Sequence, residues 1–214
     1  MGSNPVLDTI FLGEFMLIIA LIINILIIVS EVYVLSKVKN KKDIFKYYTF
    51  INNLLCLITS IIFVMGLVLY VLNYNYLDII RGLRYVITCN MMSVMIMYLL
   101  FIGTDKNNRL SSNDFINGFN YKIGNLFVHY VCPLLSLVSF IFFERDIYIS
   151  NSIWTSIAAV PSILYWVVYG ILSCFKLWDE PYKFSSNNKI LDIIKIVLIP
   201  IIFIGISFIL WNIK

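Results

Sequence analysis

The sequence predicts an all-α fold: a polytopic integral membrane bundle of six transmembrane helices, with both termini on the extracytoplasmic side. Two observations predict the bundle. Of the 214 residues, 61% are hydrophobic and only 13% are charged, whereas the apolar share of a soluble domain is about half. The chain also contains six separate apolar runs, and each is long enough to cross a bilayer, which takes roughly 20 helical residues. We therefore expect a multi-pass protein of the cell membrane with a single domain, 1–214.

Each apolar run is predicted to be a helix, because a segment in lipid must satisfy its backbone hydrogen bonds internally. None of the runs shows the alternating polarity of a barrel strand. The first run has no Lys or Arg before it and is too long for the apolar part of a cleaved signal, so it is predicted to remain as a helix. The predicted spans are 11–35, 47–72, 83–102, 125–143, 152–177 and 190–211.

The basic residues are concentrated in alternate connections, and this predicts the orientation. The first, third and fifth connections carry Lys37, Lys39, Lys41, Lys42, Lys46, Lys106, Arg109, Lys122, Lys176, Lys183 and Lys189. The opposite side carries Arg81, Arg84, Arg145 and Lys214. Short connections rich in Lys and Arg stay in the cytoplasm. Since the number of predicted spans is even, both termini are expected on the other side.

Composition also bounds the chemistry. The four cysteines (Cys56, Cys89, Cys132 and Cys174) fall in separate apolar runs without a C-x-x-C pair, which is typical of small buried hydrophobes. One histidine and no clustered carboxylates cannot assemble a usual zinc set, so no metal and no other cofactor is predicted. The net charge of +4 lies in the short connections, where membrane orientation explains it, and no nucleic-acid partner is expected.

Two of the predicted spans carry a polar stripe at helical spacing. The stripe on the fourth span consists of Asn125, His129, Cys132, Ser136 and Ser139. The stripe on the second span consists of Thr49, Asn52, Asn53, Cys56 and Ser60. Spacings of three and four place each set on one helix face, and polar side chains in a membrane span face protein or a water-filled cavity. The two stripes are therefore expected to face the bundle interior and able to meet.

Thr49 and His129 are the candidate reactive residues. They lie roughly 5 and 10 Å into their spans, counted from Lys46 and Lys122. A threonine hydroxyl becomes a nucleophile when a neighbouring base takes its proton, and an imidazole does so near neutral pH. The alternative is purely structural, with polar side chains hydrogen-bonded across a helix interface.

Further polar residues are candidates for the substrate site. They are Asn52, Asn53, Asn90 and Ser136. A side-chain amide can stabilise a developing oxyanion, which makes Asn53 or Asn90 a candidate donor. Glu31, near the cytoplasmic end of the first span, either orients His129 or forms an interfacial ion pair with a basic loop residue, and the ion pair is the prediction. We find no other acidic residue to orient His129 and no G-x-S-x-G elbow.

Four segments of the chain resemble a known family. They are KYYTFINNLLCLI, RGLRYVITCN, VHYVCPLLSLVSFIFF and PSILYWVVYGILSCFKLWDEPYKF. Together, from about Lys46 to Phe184, they are similar to the androgen-induced and androgen-dependent TFPI-regulating protein family and its bacterial relatives. The T-x-x-x-N spacing of Thr49 and Asn53 precedes an H-x-x-x-P spacing that begins at His129. The resemblance implies hydrolysis of fatty acid esters of hydroxy fatty acids, with Thr49 as nucleophile and His129 as base.

The sequence thus predicts an intramembrane, threonine-dependent hydrolase of lipid esters whose partners are membrane lipids and the lipid ester substrate. The alternative belongs to another class. It is a lipophile-binding or transport protein in which His129 and the nearby asparagines form a polar binding site without covalent chemistry.

Overall fold

The described part of the chain is built from helices. A computed structural model describes residues 5–38, 42, 45–72, 77–102, 124, 126–144, 153–175 and 189–213. Within these ranges the main elements are α1 (Pro5–Lys37), α2 (Tyr48–Val71), α3 (Leu77–Met97), α4 (Phe127–Glu144), α5 (Ile153–Cys174) and α6 (Lys189–Asn212). The predicted all-α class is confirmed for this part of the chain, and each predicted span coincides with one of these helices.

The helices differ in the length of their apolar stretches, and only some of these are long enough to cross a membrane. Four stretches meet that requirement: Phe15–Lys37, Tyr48–Tyr70, Ile79–Leu100 and Phe127–Glu144. The apolar stretches of the last two helices, Ile153–Tyr169 and Leu198–Asn212, are shorter. Length and apolar composition thus identify a helical membrane protein with at least four candidate spans. The count of six spans stays a prediction.

Helix α3 lies at the centre of the bundle. It packs against α2, α4, α5 and α6, whereas α1 packs against α2 and α4. In its most apolar part 61% of the residues are buried, against 22% in the corresponding part of α1. Large apolar side chains such as Ile18, Ile22 and Ile25 are exposed on α1, where the acyl chains of a bilayer would cover them. The polar side chains of α3 between positions 81 and 93 are accordingly buried in protein: Arg81, Arg84, Thr88, Asn90 and Ser93.

Helix α4 is regular only in its middle. An α-helical segment, Cys132–Val138, has Pro133 in its first turn and is flanked by the π-helical turns Phe127–Val131 and Ser139–Glu144. Helix α3 likewise continues into a π-helical turn, Tyr98–Ile102. Such turns often occur at functional positions. His129 lies in the first of them.

The start of α3 differs from the prediction, and the difference reassigns two arginines. The span was expected to begin at position 83, with Arg81 and Arg84 serving as the basic residues of an outer connection. The helix begins at Leu77 instead, and both arginine side chains are buried in the bundle. They therefore do not belong to the count of loop charges, which leaves two basic residues, Arg145 and Lys214, on the predicted outer side.

That correction strengthens the contrast in basic residues on which the orientation depends. The orientation itself stays a prediction. Several of the basic residues on which it rests lie outside the described residues: Lys39, Lys41, Lys106, Arg109, Lys122, Arg145, Lys176, Lys183 and Lys214.

Three glycines in helices offer a graded test of the packing. A Cβ atom at Gly82 of α3 would overlap the Trp154 indole of α5, and one at Gly66 of α2 would overlap the flexible Cδ1 end of Ile80. A Cβ atom at Gly205 of α6 would meet nothing within 4 Å. The indole is rigid and cannot yield as the end of an isoleucine side chain can.

We predict that Gly82→Ala lowers the midpoint of thermal unfolding in detergent most, Gly66→Ala less, and Gly205→Ala not at all. Overpacking of a well-packed interior costs about 1–3 kcal/mol, and the Gly82 variant is expected in that range. Size-exclusion chromatography after a temperature ramp measures the three midpoints. Equal midpoints for the Gly82 and Gly205 variants would contradict this packing of α3 against α5.

Candidate functional site

The polar stripes of α2 and α4 meet inside the bundle. Nη1 of Arg84 donates to Oγ of Ser60 at 3.2 Å, and Nη2 of the same guanidinium donates to Oγ of Ser136 at 3.5 Å. One turn earlier on each helix, Cys56 and Cys132 belong to one buried cluster. Both pairs are 76 positions apart in the chain, so α2 and α4 run parallel with a constant register.

This register places the predicted reactive residues. An offset of 76 positions sets His129 of α4 level with Asn53 of α2. Thr49 lies four residues before Asn53, which is about 6 Å along the helix. The turn Phe127–Val131, which carries His129, packs against α2. The Thr49 and His129 side chains thus belong to facing helices, about one helical turn apart in height.

A residue of α1, Glu31, lies at the same height in the bundle as Asn53 and His129. Ala20 clusters with Phe63, Ile27 with Cys56, and Leu35 with Phe50. Along these three pairs the residue numbers rise on α1 and fall on α2, so the two helices run antiparallel. This register sets Glu31 opposite Asn53. We call Glu31, Asn53 and His129 the acceptor layer, because each has at least one acceptor atom that receives no hydrogen bond from the described residues.

All six predicted site residues are buried. They are Thr49, Asn52, Asn53, Asn90, His129 and Ser136. The polar face predicted for each stripe therefore faces protein. The six do not form one cluster, however. Asn53 and His129 belong to the acceptor layer, and Asn90 and Ser136 belong to two other hydrogen-bond networks. Thr49 and Asn52 lie in the first turn and a half of α2.

His129 is held by stacking. Its imidazole lies on the Tyr98 ring with centroids 3.9 Å apart and planes inclined by 20°. Nδ1 is buried and forms no hydrogen bond with a described residue. Both rings belong to π-helical turns, where the wider turn changes the direction of each side chain relative to a regular helix. The imidazole is thus fixed in plane with one nitrogen available to a ligand.

Asn53 links the acceptor layer to Thr49. Its Nδ2 donates to the Thr49 carbonyl oxygen at 2.7 Å, while its Oδ1 receives no hydrogen bond from the described residues. Asn52 repeats the arrangement one residue earlier, with Nδ2 donating to the Tyr48 carbonyl oxygen at 2.8 Å and Oδ1 left open. Both asparagines thus use their donors on the first turns of α2 and keep an acceptor in the interior.

Asn90 and Ser136 are engaged in satisfied networks instead. Nδ2 of Asn90 donates to the Val86 and Ala158 carbonyl oxygens, and Oδ1 accepts from Ser162 at 2.6 Å and from Tyr48 at 3.0 Å. Asn90 would have to release one of these bonds to stabilise an oxyanion. Ser136 interacts with Arg84 and with the Thr88 hydroxyl. Their arrangement favours a structural role for both.

Glu31 is buried inside the bundle, whereas the sequence predicted an ion pair at the membrane interface. Its side chain is fully buried, and neither carboxyl oxygen receives a hydrogen bond with normal geometry from a described residue. The Cys132 thiol lies near enough to interact with it, but a thiol is a weak donor. The predicted interfacial ion pair is therefore absent from the described residues. Glu31 is thus a buried acid for which no described residue supplies a cationic partner.

The dominant polar feature is an ion pair that sequence reasoning missed. Nε of Arg84 donates to Oε2 of Glu144 at 3.0 Å and Nη2 donates to Oε1 at 3.1 Å, with both side chains inaccessible to solvent. Glu144 also accepts from Asn24 at 3.1 Å and from Ser139. Four helices thus meet on one charge pair. The sequence did contain a signal: Arg84 lies at the start of the third predicted span, and Glu144 directly follows the fourth. Charged residues inside a membrane are usually paired and functional.

The Arg84–Glu144 pair can be tested with a double-mutant cycle. Removing one partner leaves an uncompensated buried charge, which typically costs about 3–5 kcal/mol, whereas replacing both by apolar residues of similar volume is often neutral. We predict that Arg84→Met and Glu144→Met each lower the thermal midpoint strongly and that the double variant recovers most of the loss. Additive losses in the three midpoints would show that the two side chains do not interact.

The comparisons with known proteins add no relative. No family model, curated protein or solved structure matches the chain. The resemblance seen in the sequence therefore stays a prediction, and the site has to be interpreted from its own geometry. Among the described residues no group of three metal-ligating side chains is present.

Proposed function

We propose that the protein is an intramembrane hydrolase of lipid esters that uses Thr49 as nucleophile and His129 as general base. One observation supports this most directly: a buried imidazole, fixed by Tyr98, keeps Nδ1 open on a helix that faces Thr49 about one turn away. Buried polar atoms are nearly always paired in folded proteins. A buried imidazole nitrogen without a protein partner is thus available to exchange a proton with a nucleophile or a substrate.

The proposed reaction proceeds through an acyl-threonine. His129 accepts the proton of the Thr49 hydroxyl as its Oγ1 attacks the ester carbonyl carbon. The tetrahedral intermediate collapses, the C–O bond to the alcohol breaks, and the alcohol leaves with the proton from His129. A water molecule, deprotonated by the same imidazole, then cleaves the acyl-threonine to release the fatty acid. Asn53, hydrogen-bonded to the Thr49 carbonyl, is the amide next to the nucleophile on α2.

The surroundings suit a substrate with a long acyl chain. The outer faces of the bundle carry large exposed apolar side chains, such as Ile58, Ile61 and Met65 on α2. A lipid ester would already be dissolved in the bilayer and would enter between helices, with its ester beside the polar stripes. Fatty acid esters of hydroxy fatty acids, which the sequence resemblance implies, are one such class.

The catalytic assignment predicts a specific pattern of variants. Thr49→Ala should reduce ester turnover and covalent labelling by a fluorophosphonate probe to background, because the nucleophilic oxygen is gone. Thr49→Ser should keep part of both, and His129→Ala should suppress both by removing the base. Turnover is measured on purified protein in detergent with a panel of acyl esters.

Thr59→Val is a matched control. The observed hydrogen bonds of the Thr59 hydroxyl go to two carbonyl oxygens of its own helix, those of Leu55 and Cys56. This variant should retain full activity. Folded wild-type protein that hydrolyses no ester above the Thr49→Ala background would end the hydrolase proposal.

The second candidate function is binding or transport of a lipophile, and Glu31 favours it. An intramembrane acid without a cationic partner is typical of sites that take up a ligand or a proton. A carrier would bind its ligand through the acceptor layer and would form no covalent bond at Thr49. In that case Thr49→Ala would leave ligand binding unchanged and no probe adduct would form.

A further inference from the structure

The acceptor layer has a consistent chemical character. Its open atoms are both carboxyl oxygens of Glu31, Oδ1 of Asn53 and Nδ1 of His129. Each of the three side chains is more than nine-tenths buried. The amide nitrogen of Asn53, Nδ2, already donates a hydrogen bond to the Thr49 carbonyl oxygen. The layer therefore presents carboxyl, amide and imidazole atoms from three helices that no described residue bonds, and the Asn53 Oδ1 and the Glu31 carboxyl can accept hydrogen bonds from a ligand.

Elsewhere among the described residues two more buried acceptors receive no hydrogen bond, Oδ1 of Asn24 and Oδ1 of Asn52, so the layer contains most of the open acceptors. Glu144, which is also a buried acid, accepts from Arg84, Asn24 and Ser139. Asn90 has partners for both of its amide atoms. Since buried polar groups are paired with protein, water or ligand, the open acceptors of the layer indicate a place for a molecule that donates hydrogen bonds.

We propose that the acceptor layer binds a lipid head group that donates hydrogen bonds and carries no negative charge, as the two free hydroxyls of a monoacylglycerol do. The proposal rests on the hydrolase function for the presence of an ester, and it names the substrate class. His129 belongs both to the layer and to the proposed reactive pair, so the groups next to the ester lie in the layer. In a monoacylglycerol those groups are hydroxyls.

Two other ester classes fit the layer less well. A fatty acid ester of a hydroxy fatty acid presents methylenes beside its ester and would leave the buried acceptors without donors. A head group with a carboxylate or a phosphate consists of acceptors and would not supply the donors that Oδ1 of Asn53 and the carboxyl oxygens of Glu31 lack. The buried Arg84 cannot compensate, because its guanidinium is engaged by Glu144 and lies at the level of Ser60, two turns from Asn53.

The test uses ligands that cannot be cleaved, so that binding is measured separately from chemistry. The full chain in detergent is titrated with an octadecenyl glyceryl ether, with the octadecenyl methyl ether that lacks both hydroxyls, with an octadecenyl ether of ethanolamine, and with oleic acid. Two neutral hydrogen bonds together contribute roughly tenfold to affinity. We expect the glyceryl ether to bind at least about tenfold more tightly than the methyl ether and the fatty acid.

Substitutions then assign the preference to the layer. Glu31→Gln replaces one acceptor by a donor, and Glu31→Met removes both acceptors at similar length. Each should reduce the ratio of glyceryl to methyl ether affinity to about one, and Glu31→Gln should also strengthen the binding of oleic acid. Thr59→Val should leave the ratio unchanged. Because a ratio is measured, a general loss of folded protein cancels.

The outcomes separate this proposal from the hydrolase proposal. Preference for the glyceryl ether that depends on Glu31, also in Thr49→Ala protein, supports the layer even if no ester is ever hydrolysed. A ratio near one in the wild type, or a ratio that the Glu31 variants leave intact, overturns the layer even if esters are hydrolysed. Preference for the ethanolamine ether over the glyceryl ether would reject the hydroxyl assignment and identify an ammonium head group.

Discussion

The bundle depends on the buried pair of Arg84 and Glu144. In lipid no water is available to a charged side chain, so a guanidinium in the centre of the bundle has to be paired and hydrogen-bonded by protein. The pair does this with groups from α1, α2, α3 and α4. A shift of α2 or α4 by one turn would separate Ser60 or Ser136 from the guanidinium. The charge pair therefore fixes the register of the helices that carry the candidate site.

A register fixed at one level determines what meets at the next levels. Two turns from Arg84, the same parallel arrangement of α2 and α4 brings Asn53 to the height of His129, and the antiparallel α1 brings Glu31 there. At this level Glu31, Asn53 and His129 have buried polar atoms that no described residue bonds. At one level of the four-helix contact the charges of Arg84 and Glu144 compensate each other. At the other level the acceptor layer has polar atoms without a hydrogen bond from the described residues. Such an uneven distribution is what separates a binding site from a structural core.

The sequence predicted the parts of this arrangement that depend on periodicity. Apolar runs gave the helices, and spacings of three and four gave the buried faces that contain Thr49, Asn53 and His129. It did not predict the partners of Arg84 and Glu144, because both residues lie at the edges of apolar runs, where a loop position is equally compatible with the pattern. The burial of Glu31, near the end of the first predicted span, was not predicted either. Helix register depends on pairwise contacts between helices, and a single sequence contains no direct record of them.

The acceptor layer also bears on why a threonine would serve as a nucleophile here. A hydrolase inside a membrane must bring three polar partners together in an apolar solvent: the ester, the base and a water molecule. Unpaired acceptors one turn from Thr49 provide a place where hydroxyl groups or water are more stable than in lipid. In the proposed reaction the hydroxyls of the departing alcohol would leave the acceptors, and water would replace them beside His129. The same side chains would then select the substrate in the first half of the reaction and retain the attacking water in the second.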